Sequence, residues 1–308
     1  MKLIDVHKQF QTDDQCLDYI EKMRWPNGEM CCVHCGEIGR VSKITREAGK
    51  NKRTRIYQCL ACGKQFSATS GTIFNDTHLP LTKWFLAIAL ICEAKKGVSA
   101  KQLERHLGVN YRTAWHLAHR IREAMQEGAG LLTGVVEVDE TYVGGKVKRK
   151  GKPYVKKDKK DVVIGLVERG GKLRLVPVAD NKMSIIEPVI EKHVSPDALL
   201  QTDDSAIYNI IGKRRPGGHR IINHTSSYGI GENHSNTIEN AFSLLKRGVY
   251  GTFHKVSIKH LGRYCNEFSY RFNRRGEQLA MFDATLKNLT RGEVLPYKKL
   301  TASPVSET

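Results

Sequence analysis

Asp139, Asp203 and Glu239 are the residues of this 308-residue chain whose types and surroundings best suit chemistry. Asp139 ends the run Val135-Val136-Glu137-Val138, Asp203 closely follows Ala198-Leu199-Leu200, and Glu239 lies at the start of a helical pattern. Two carboxylates on strands and one on a helix can hold a pair of Mg²⁺ ions over a phosphodiester, where the metals clamp the attacking and leaving oxygens. Clustered carboxylates are costly unless cations neutralise them, so a metal requirement follows from the residues themselves. Spacing alone does not select these three, because the chain has 32 Asp plus Glu. Glu137 shares a strand face with Asp139 by the period of two and is assigned to a basic neighbour, whereas Glu140 and Asp204 point to the opposite face. Asp203 is therefore preferred to Asp204. Lys246 stands seven residues after Glu239, two helical turns along the same face, where it can reach a phosphate near the metals.

The elements around these residues make the selection. Val135 to Val143 is the first strand of a region that begins near Leu131, and a basic loop follows from Lys146 to Lys160. Nine residues of that loop are Lys or Arg, Lys148, Arg149 and Lys150 among them, and Asp158 is its one acid. Val162 to Glu168 and Leu173 to Val178 form a hairpin around Gly170-Gly171. Ser184 to His193 is helical, with Pro188 as a source of a kink. Ala198 to Thr202 is a fourth strand, Arg220 to Asn223 a fifth, and Thr237 to Arg247 a late helix. The order β-β-β-α-β-(α)-β-α matches a ribonuclease-H-like α/β catalytic domain. Its first and fourth strands are neighbours, so Asp139 and Asp203 reach a common site and Glu239 completes it.

Upstream, Cys32-x-x-Cys35-Gly36 and Cys59-x-x-Cys62-Gly63 are two of the doublets that form tight metal-binding knuckles, each Gly relieving a turn with φ > 0. Segments 39–44 and 54–58 alternate enough to be the short strands of a ribbon. Four thiolates make a closed site, so the Zn²⁺ they hold is structural; Cys31 and His34 are bystanders. Thr12-Asp13-Asp14-Gln15 is a capping box for a helix through about Met23, whose Leu17, Ile20 and Met23 brace the ribbon.

Between these regions, a helical pattern runs from Leu81 to Lys96, with Gly97 as its stop. Ser99 caps a second helix carrying Leu103 and Leu107, Gly108-Val109-Asn110 turns, and Tyr111 opens a third helix with Ala114, Leu117, Ala118, Ile121 and Met125 on one face. This is a helix-turn-helix pattern. It presents Asn110, Tyr111, Arg112 and His116 to base edges in a major groove, with Arg120 and Arg122 farther along. Trp84 and Trp115 are assigned to the core. Lys plus Arg number 50, the net charge is +18, and a polyanionic partner follows. The longest apolar run, Trp84 to Cys92, is nine residues, far short of the ~20 that span a bilayer. No signal-peptide pattern opens the chain, so a cytoplasmic protein with no membrane partner is expected.

These residues resemble the zinc-ribbon transposases of the insertion sequence 1595 family. The resemblance lies in Trp25-Pro26-Asn27-Gly28, Gly71-Thr72-Ile73-Phe74, Ala114-Trp115-His116 and Val138-Asp139-Glu140-Thr141-Tyr142-Val143-Gly144-Gly145. It continues through Thr202-Asp203, His234-Ser235-Asn236-Thr237-Ile238-Glu239, Leu245-Lys246-Arg247-Gly248 and Tyr270-Arg271-Phe272-Asn273-Arg274-Arg275, to about Leu289. It implies a DDE-type transposase with Asp139, Asp203 and Glu239 as ligands of catalytic Mg²⁺ or Mn²⁺ and Lys246 as the basic residue seven after the acid. It further implies a helical Glu267 with Arg271 and Arg274 four and seven residues on, and makes Asn236 a lesser candidate for the third ligand. Cys31-Cys32-Val33 departs from the family's single Cys followed by Pro; the spacing to Cys35 favours Cys32.

The expected molecule is a multidomain α+β protein. It has an N-terminal helix and zinc ribbon over 1–75, a helix-turn-helix region over 76–130, a ribonuclease-H-like catalytic domain over 131–289 and a tail over 290–308. It binds the terminal repeats of an insertion sequence as double-stranded DNA, cuts there and transfers a strand to target DNA. Bringing two ends together calls for a homo-oligomer. A zinc-containing helix-turn-helix transcriptional regulator would bind without cutting, and a structure-specific nuclease would cut without joining.

Overall fold

Short polar caps and apolar stripes define the elements of this chain. The computed structural model describes residues 1–44, 55–128, 130–144, 161–222 and 236–302. The chain divides into two compact units, Met1–Ala94 with Ala100–Met125 and Glu277–Thr308, and Lys95–Ser99 with Gln126–Gly276.

In the first unit, helix α1 (Leu3–Gln9) precedes α2 (Asp13–Arg24). The expected capping box opens α2: the Thr12 hydroxyl accepts the Gln15 N–H at 3.3 Å and Gln15 Oε1 accepts the Thr12 N–H at 3.1 Å. Strands β1 (Val41–Lys43), β2 (Tyr57–Cys59) and β3 (Gln65–Phe66) pair antiparallel in that order. Thr54, where the second of these was expected to begin, lies outside the described residues. Helix α2 meets the ribbon through Glu21, which is not among the residues assigned to that contact: it accepts the Tyr57 hydroxyl at 2.8 Å and pairs with Arg55 at 2.9 Å. Helix α3 (Leu81–Glu93) is buried over most of its surface, through Trp84, Phe85, Ile88 and Ile91. It ends three residues before Lys96. Helices α4 (Ala100–Leu107) and α5 (Tyr111–Ala124) follow, joined by a turn in which Gly108 has φ +58°.

The second unit is built on β4 (Val135–Val143), β5 (Asp161–Glu168), β6 (Leu173–Val178), β7 (Leu199–Thr202) and β8 (His219–Ile221). Their order in the sheet is β6-β5-β4-β7-β8. The first three are antiparallel, and β7 and β8 continue parallel to β4. The first and fourth strands are thus neighbours, as expected, with Val135 opposite Leu199 and Glu137 opposite Gln201. Asn223, assigned to the fifth strand, lies outside the described residues.

Period-two alternation gives the sheet two apolar faces. Val136, Val138, Ile164 and Leu166 pack with α6 (Met183–His193) and α7 (Ala206–Lys213). Val143, Val163 and Val167 pack with α8 (Asn236–Gly248) and α9 (Ile258–Asn273). Helix α8 runs on into a π-helical turn at Val249–Phe253. Glu137 and Asp139 therefore point toward the α8 side. Gly165 stands directly opposite Asp139 in the ladder. A Cβ there would come within 2.4 Å of Ile238 and 2.7 Å of Phe242, so the missing side chain lets α8 lie close on the sheet.

The chain then returns to the first unit. Helix α10 (Gln278–Arg291) packs Phe282 against Phe10 and Phe85, with ring centroids 6.3 and 5.8 Å away. Helix α11 (Tyr297–Thr301) buries Leu300. This changes the expected division of the chain. Residues 277–289 belong by contact to the N-terminal unit, and the segment read as a tail carries a helix.

Candidate active site

Asp139 and Glu239 line one cavity of about 860 Å³, together with Lys96, Glu140, Thr141, Ser243, Lys246, Arg247, Tyr250 and Thr252. Asp139 is half-buried and Glu239 exposed. Burial is the largest influence on the Asp139 carboxyl, and the charges of Glu140, Asp203 and Glu239 add to it; together they outweigh the Glu140 N–H that donates to Oδ1 at 2.8 Å and push it up to about 7. Asp203 acts on Asp139 by its charge but is not among the residues lining the cavity. It is half-buried just beyond the end of β7, its Oδ1 accepting the Ser205 N–H at 3.2 Å, while Asp204 is exposed. Glu140 points to the other face of the sheet, as the period of two requires, and accepts the Tyr208 hydroxyl of α7 at 2.5 Å. Glu137 pairs with a basic neighbour, Arg169, at 3.1 Å.

Basic residues line the same cavity. Lys246 and Arg247 come from the last turn of α8, and Lys96 from the short segment between α3 and α4 that folds with the second unit. A cavity lined by both carboxylates and basic side chains suits a substrate that carries phosphates together with cations. Asn236, exposed at the start of α8, is not among the lining residues. Lys148, Arg149 and Lys150, with the rest of the basic loop, lie outside the described residues.

The four cysteines of the ribbon form a second constellation. Cys32, Cys35, Cys59 and Cys62 are the one group of three or more His, Cys, Asp or Glu, among the described residues, whose ligand atoms all lie within 4.8 Å. The Sγ atoms of Cys32 and Cys62 are 3.8 Å apart, and those of Cys35 and Cys59 3.7 Å. A tetrahedron with Zn–S bonds of ~2.3 Å has edges of ~3.8 Å, so the donor set fits structural zinc. Gly36 and Gly63 have φ +78° and +72°, which is why glycine follows each doublet. Cys31 donates to the Gly36 carbonyl at 3.5 Å and His34 Nε2 lies 3.3 Å from the Gln65 carbonyl, both outside the cluster.

Helix α5 differs from expectation along its length. Asn110 caps it, its side chain accepting the Thr113 N–H at 2.8 Å, and Tyr111 and Arg112 are exposed. His116 is half-buried, 3.3 Å from the Leu295 carbonyl and edge-on to Tyr297. Arg120 and Arg122 are not on an open face at all, at 6% and 1% exposure. Arg120 donates to the Asn75 carbonyl at 3.1 Å and lies over Trp84, and its burial lowers its pKa to about 10. Trp84 is core, as assigned, whereas Trp115 is half-buried against His119 and Tyr297.

Residues 131–273 match the ISXO2-like transposase domain, and residues 11–65 match the transposase zinc-ribbon domain of the same family. The chain belongs to the insertion sequence 1595 transposase family. An uncharacterized protein in transposable element ISH50 of Halobacterium salinarum is 25% identical over 86% of this chain and 92% of its own length. An uncharacterized transposase-like protein of Haemophilus influenzae is 26% identical over 40% of this chain and 98% of its own. A solved pre-cleavage Mos1 transpososome aligns with 69% of this chain and 80% of its own at 11% identity and a TM-score of 0.28, too loosely to carry an argument.

Membership also frames what the family motif near the end of α9 does in this transposase. Glu267 and Arg271 form a buried ion pair, and Arg271 lies over Phe268. Arg274 pairs with Glu127 and lies 3.8 Å from the Tyr270 ring centroid. Asn273 receives the Leu173 N–H at 2.6 Å and returns a bond to its carbonyl at 3.1 Å. Of these, Asn273 ties α9 to the edge strand β6, and none of them lines the cavity. Lys96, Tyr250 and Thr252 were missed in the sequence. A signal existed for Lys96, the pair Lys95-Lys96 just before Gly97, but only the fold assigns that segment to the second unit.

Proposed function

We propose that this transposase is a DDE enzyme that binds the ends of its element, hydrolyses a strand there and joins the freed end to target DNA. The single observation that carries this is the cavity lined by Asp139 and Glu239 together with Lys96, Lys246 and Arg247, with Asp203 acting by charge on Asp139. The sheet order, three antiparallel strands continued by two parallel ones, supports the ribonuclease-H-like reading of the catalytic unit.

Asp139, Asp203 and Glu239 are the oxygen donors for catalytic Mg²⁺ or Mn²⁺, cations that prefer hard oxygen ligands. The upward shift of Asp139, caused first by burial and then by the neighbouring acids, is one that a bound cation would reverse. When bound, these ions supply charge neutralisation at the scissile phosphate and activation of the attacking oxygen. The chain's own residues do the rest by positioning. Lys246, Arg247 and Lys96 hold phosphate oxygens beside the carboxylates. Hydrolysis forms a bond from water oxygen to phosphorus and breaks the bond to the 3′ oxygen, which leaves protonated. That 3′-hydroxyl then attacks a target phosphodiester and expels the target's own 3′ oxygen, with no covalent link to the protein.

Helices α4 and α5 are the helix-turn-helix, with Asn110, Tyr111 and Arg112 at the entry to the major groove. Lys148, Arg149 and Lys150 add sequence-independent attraction to the duplex. A second copy of the chain joins the two ends. Incubating zinc-loaded protein with end-bearing DNA, a target plasmid and Mg²⁺ tests the reading. Joined products are expected. Cutting without joining would leave a structure-specific nuclease, and binding without cutting a transcriptional regulator.

A further inference from the structure

We propose that Glu137 is a positioning residue that sets the spacing between Asp139 and Glu239; the inference rests on the catalytic reading above. Glu137 is fully buried, at 0% exposure, two residues before Asp139 on the same face of β4. Both of its oxygens are engaged. Oε1 accepts from Arg169 Nε at 3.1 Å, and Oε2 accepts the backbone N–H of Ile238 at 3.0 Å. Ile238 is the third residue of α8 and immediately precedes Glu239.

The first N–H groups of a helix have no partner within it, and a carboxylate there is held both by a charge-assisted hydrogen bond and by the helix dipole. A charge buried this deeply persists only when it is paired and hydrogen-bonded, which Arg169 and Ile238 provide. One side chain therefore ties the strand carrying Asp139 to the helix carrying Glu239, next to both acids. Gly165, opposite Asp139, removes the side chain that would hold the helix off, and Glu137 draws it down. Glu137 bonds to the backbone of α8 and is not among the residues that line the cavity. Its effect on catalysis passes through the position of Glu239.

The test uses full-length, zinc-loaded protein and Mn²⁺ alone as the probe, with bound Mn²⁺ followed by electron paramagnetic resonance. Groups that orient metal ligands typically change affinity by roughly 10–100-fold when replaced. Glu137→Gln, which keeps the shape and loses the charge, is expected to weaken Mn²⁺ binding by at least about tenfold. It should speed amide exchange in the peptide that begins α8 and shift the Mn²⁺ requirement for cleavage upward, with cleavage recovering at high Mn²⁺. Ile186→Val, a core truncation on the other face of the sheet, should leave Mn²⁺ affinity unchanged. If Glu137→Gln fails to fold, Arg169→Gln carries the same test, since it loosens the same carboxylate and shifts affinity in the same direction. Equal Mn²⁺ affinity in wild type and variant, or an equal loss in Ile186→Val, overturns the positioning role alone. Wild-type protein that neither binds Mn²⁺ nor cuts DNA overturns the catalytic reading, and this inference with it.

Discussion

At the scale of single residues, the acids of the cavity differ in exposure and in what surrounds them, and those differences predict distinct phenotypes. Replacing a carboxylate by its amide keeps shape and removes the charge that holds a cation. Asp139→Asn, Asp203→Asn and Glu239→Gln should each lower Mg²⁺-dependent cleavage by more than the ~100-fold that marks the upper range for groups supporting a ligand, with DNA binding by gel shift retained. Asp204→Asn, at an exposed position, should cut almost normally. Activity surviving in Glu239→Gln but lost in Asn236→Ala would transfer the third role to Asn236. The face of each acid on β4 was legible, because a period of two assigns Glu137 and Asp139 to one side and Glu140 to the other. The arginines of α5 were not. Their partners, Trp84 and the Asn75 carbonyl for Arg120, lie 36 and 45 positions back in the chain, and no local period reveals what covers a helix's second face. Arg120→Ala should accordingly lower thermal stability, by roughly 2 kcal/mol for a desolvated cation–π contact. Arg112→Ala should instead weaken end binding by about 1–3 kcal/mol if it makes a bidentate base contact, and lower the melting temperature far less, since Arg112 lies over Tyr297 at an exposed position. A melting curve and a gel shift on both variants decide between these roles, and the reverse pattern would sink them.

At the scale of elements, the site depends on how closely α8 lies on the sheet. The strands and their order were readable from apolar alternation and from Gly170-Gly171, and β4 matches its expected limits. The closeness of α8 was not readable, since it turns on Gly165, an ordinary glycine within an apolar strand until Ile238 and Phe242 are seen above it. A methyl group there meets Ile238 at 2.4 Å, a distance real Cβ atoms essentially never show. Gly165→Ala should therefore cost about 1–3 kcal/mol by overpacking. It should also lift the start of α8 away from β4 and reduce cleavage beyond what the stability loss explains. Cleavage measured well below the melting temperature separates the two effects. Normal turnover in a destabilised Gly165→Ala protein would show that the spacing of Asp139 and Glu239 tolerates this shift.

At the scale of the whole molecule, a net charge of +18 fits a protein that meets polyanions, and no helix among the described residues is long and apolar enough to cross a membrane. The course of the chain was the least legible feature. Ending the catalytic region at 289 followed the reach of the family motifs, yet Met281, Phe282, Leu286 and Leu289 repeat at helical spacing and are buried in the N-terminal unit. Their periodicity announces a helix; which unit it joins depends on the complementary faces of α2 and α3, far back in the sequence. Helix α10 is held there by the Tyr19 hydroxyl donating to Asp283 at 2.7 Å and by the Asn288 side chain donating to the Ala124 carbonyl at 2.9 Å. Phe282, against Phe10 and Phe85, lies at the centre of that packing. Phe282→Ala should cost about 3–5 kcal/mol, the usual range for a buried Phe reduced to Ala. The loss should be concentrated in the first unit. Hydrogen exchange read by mass spectrometry is expected to show lost protection in peptides of α2, α3 and α10, while the β4–β5 ladder retains its own. Protection lost first from β4 and β5, with α2 and α3 unchanged, would mean that the C-terminal helix serves the catalytic unit after all.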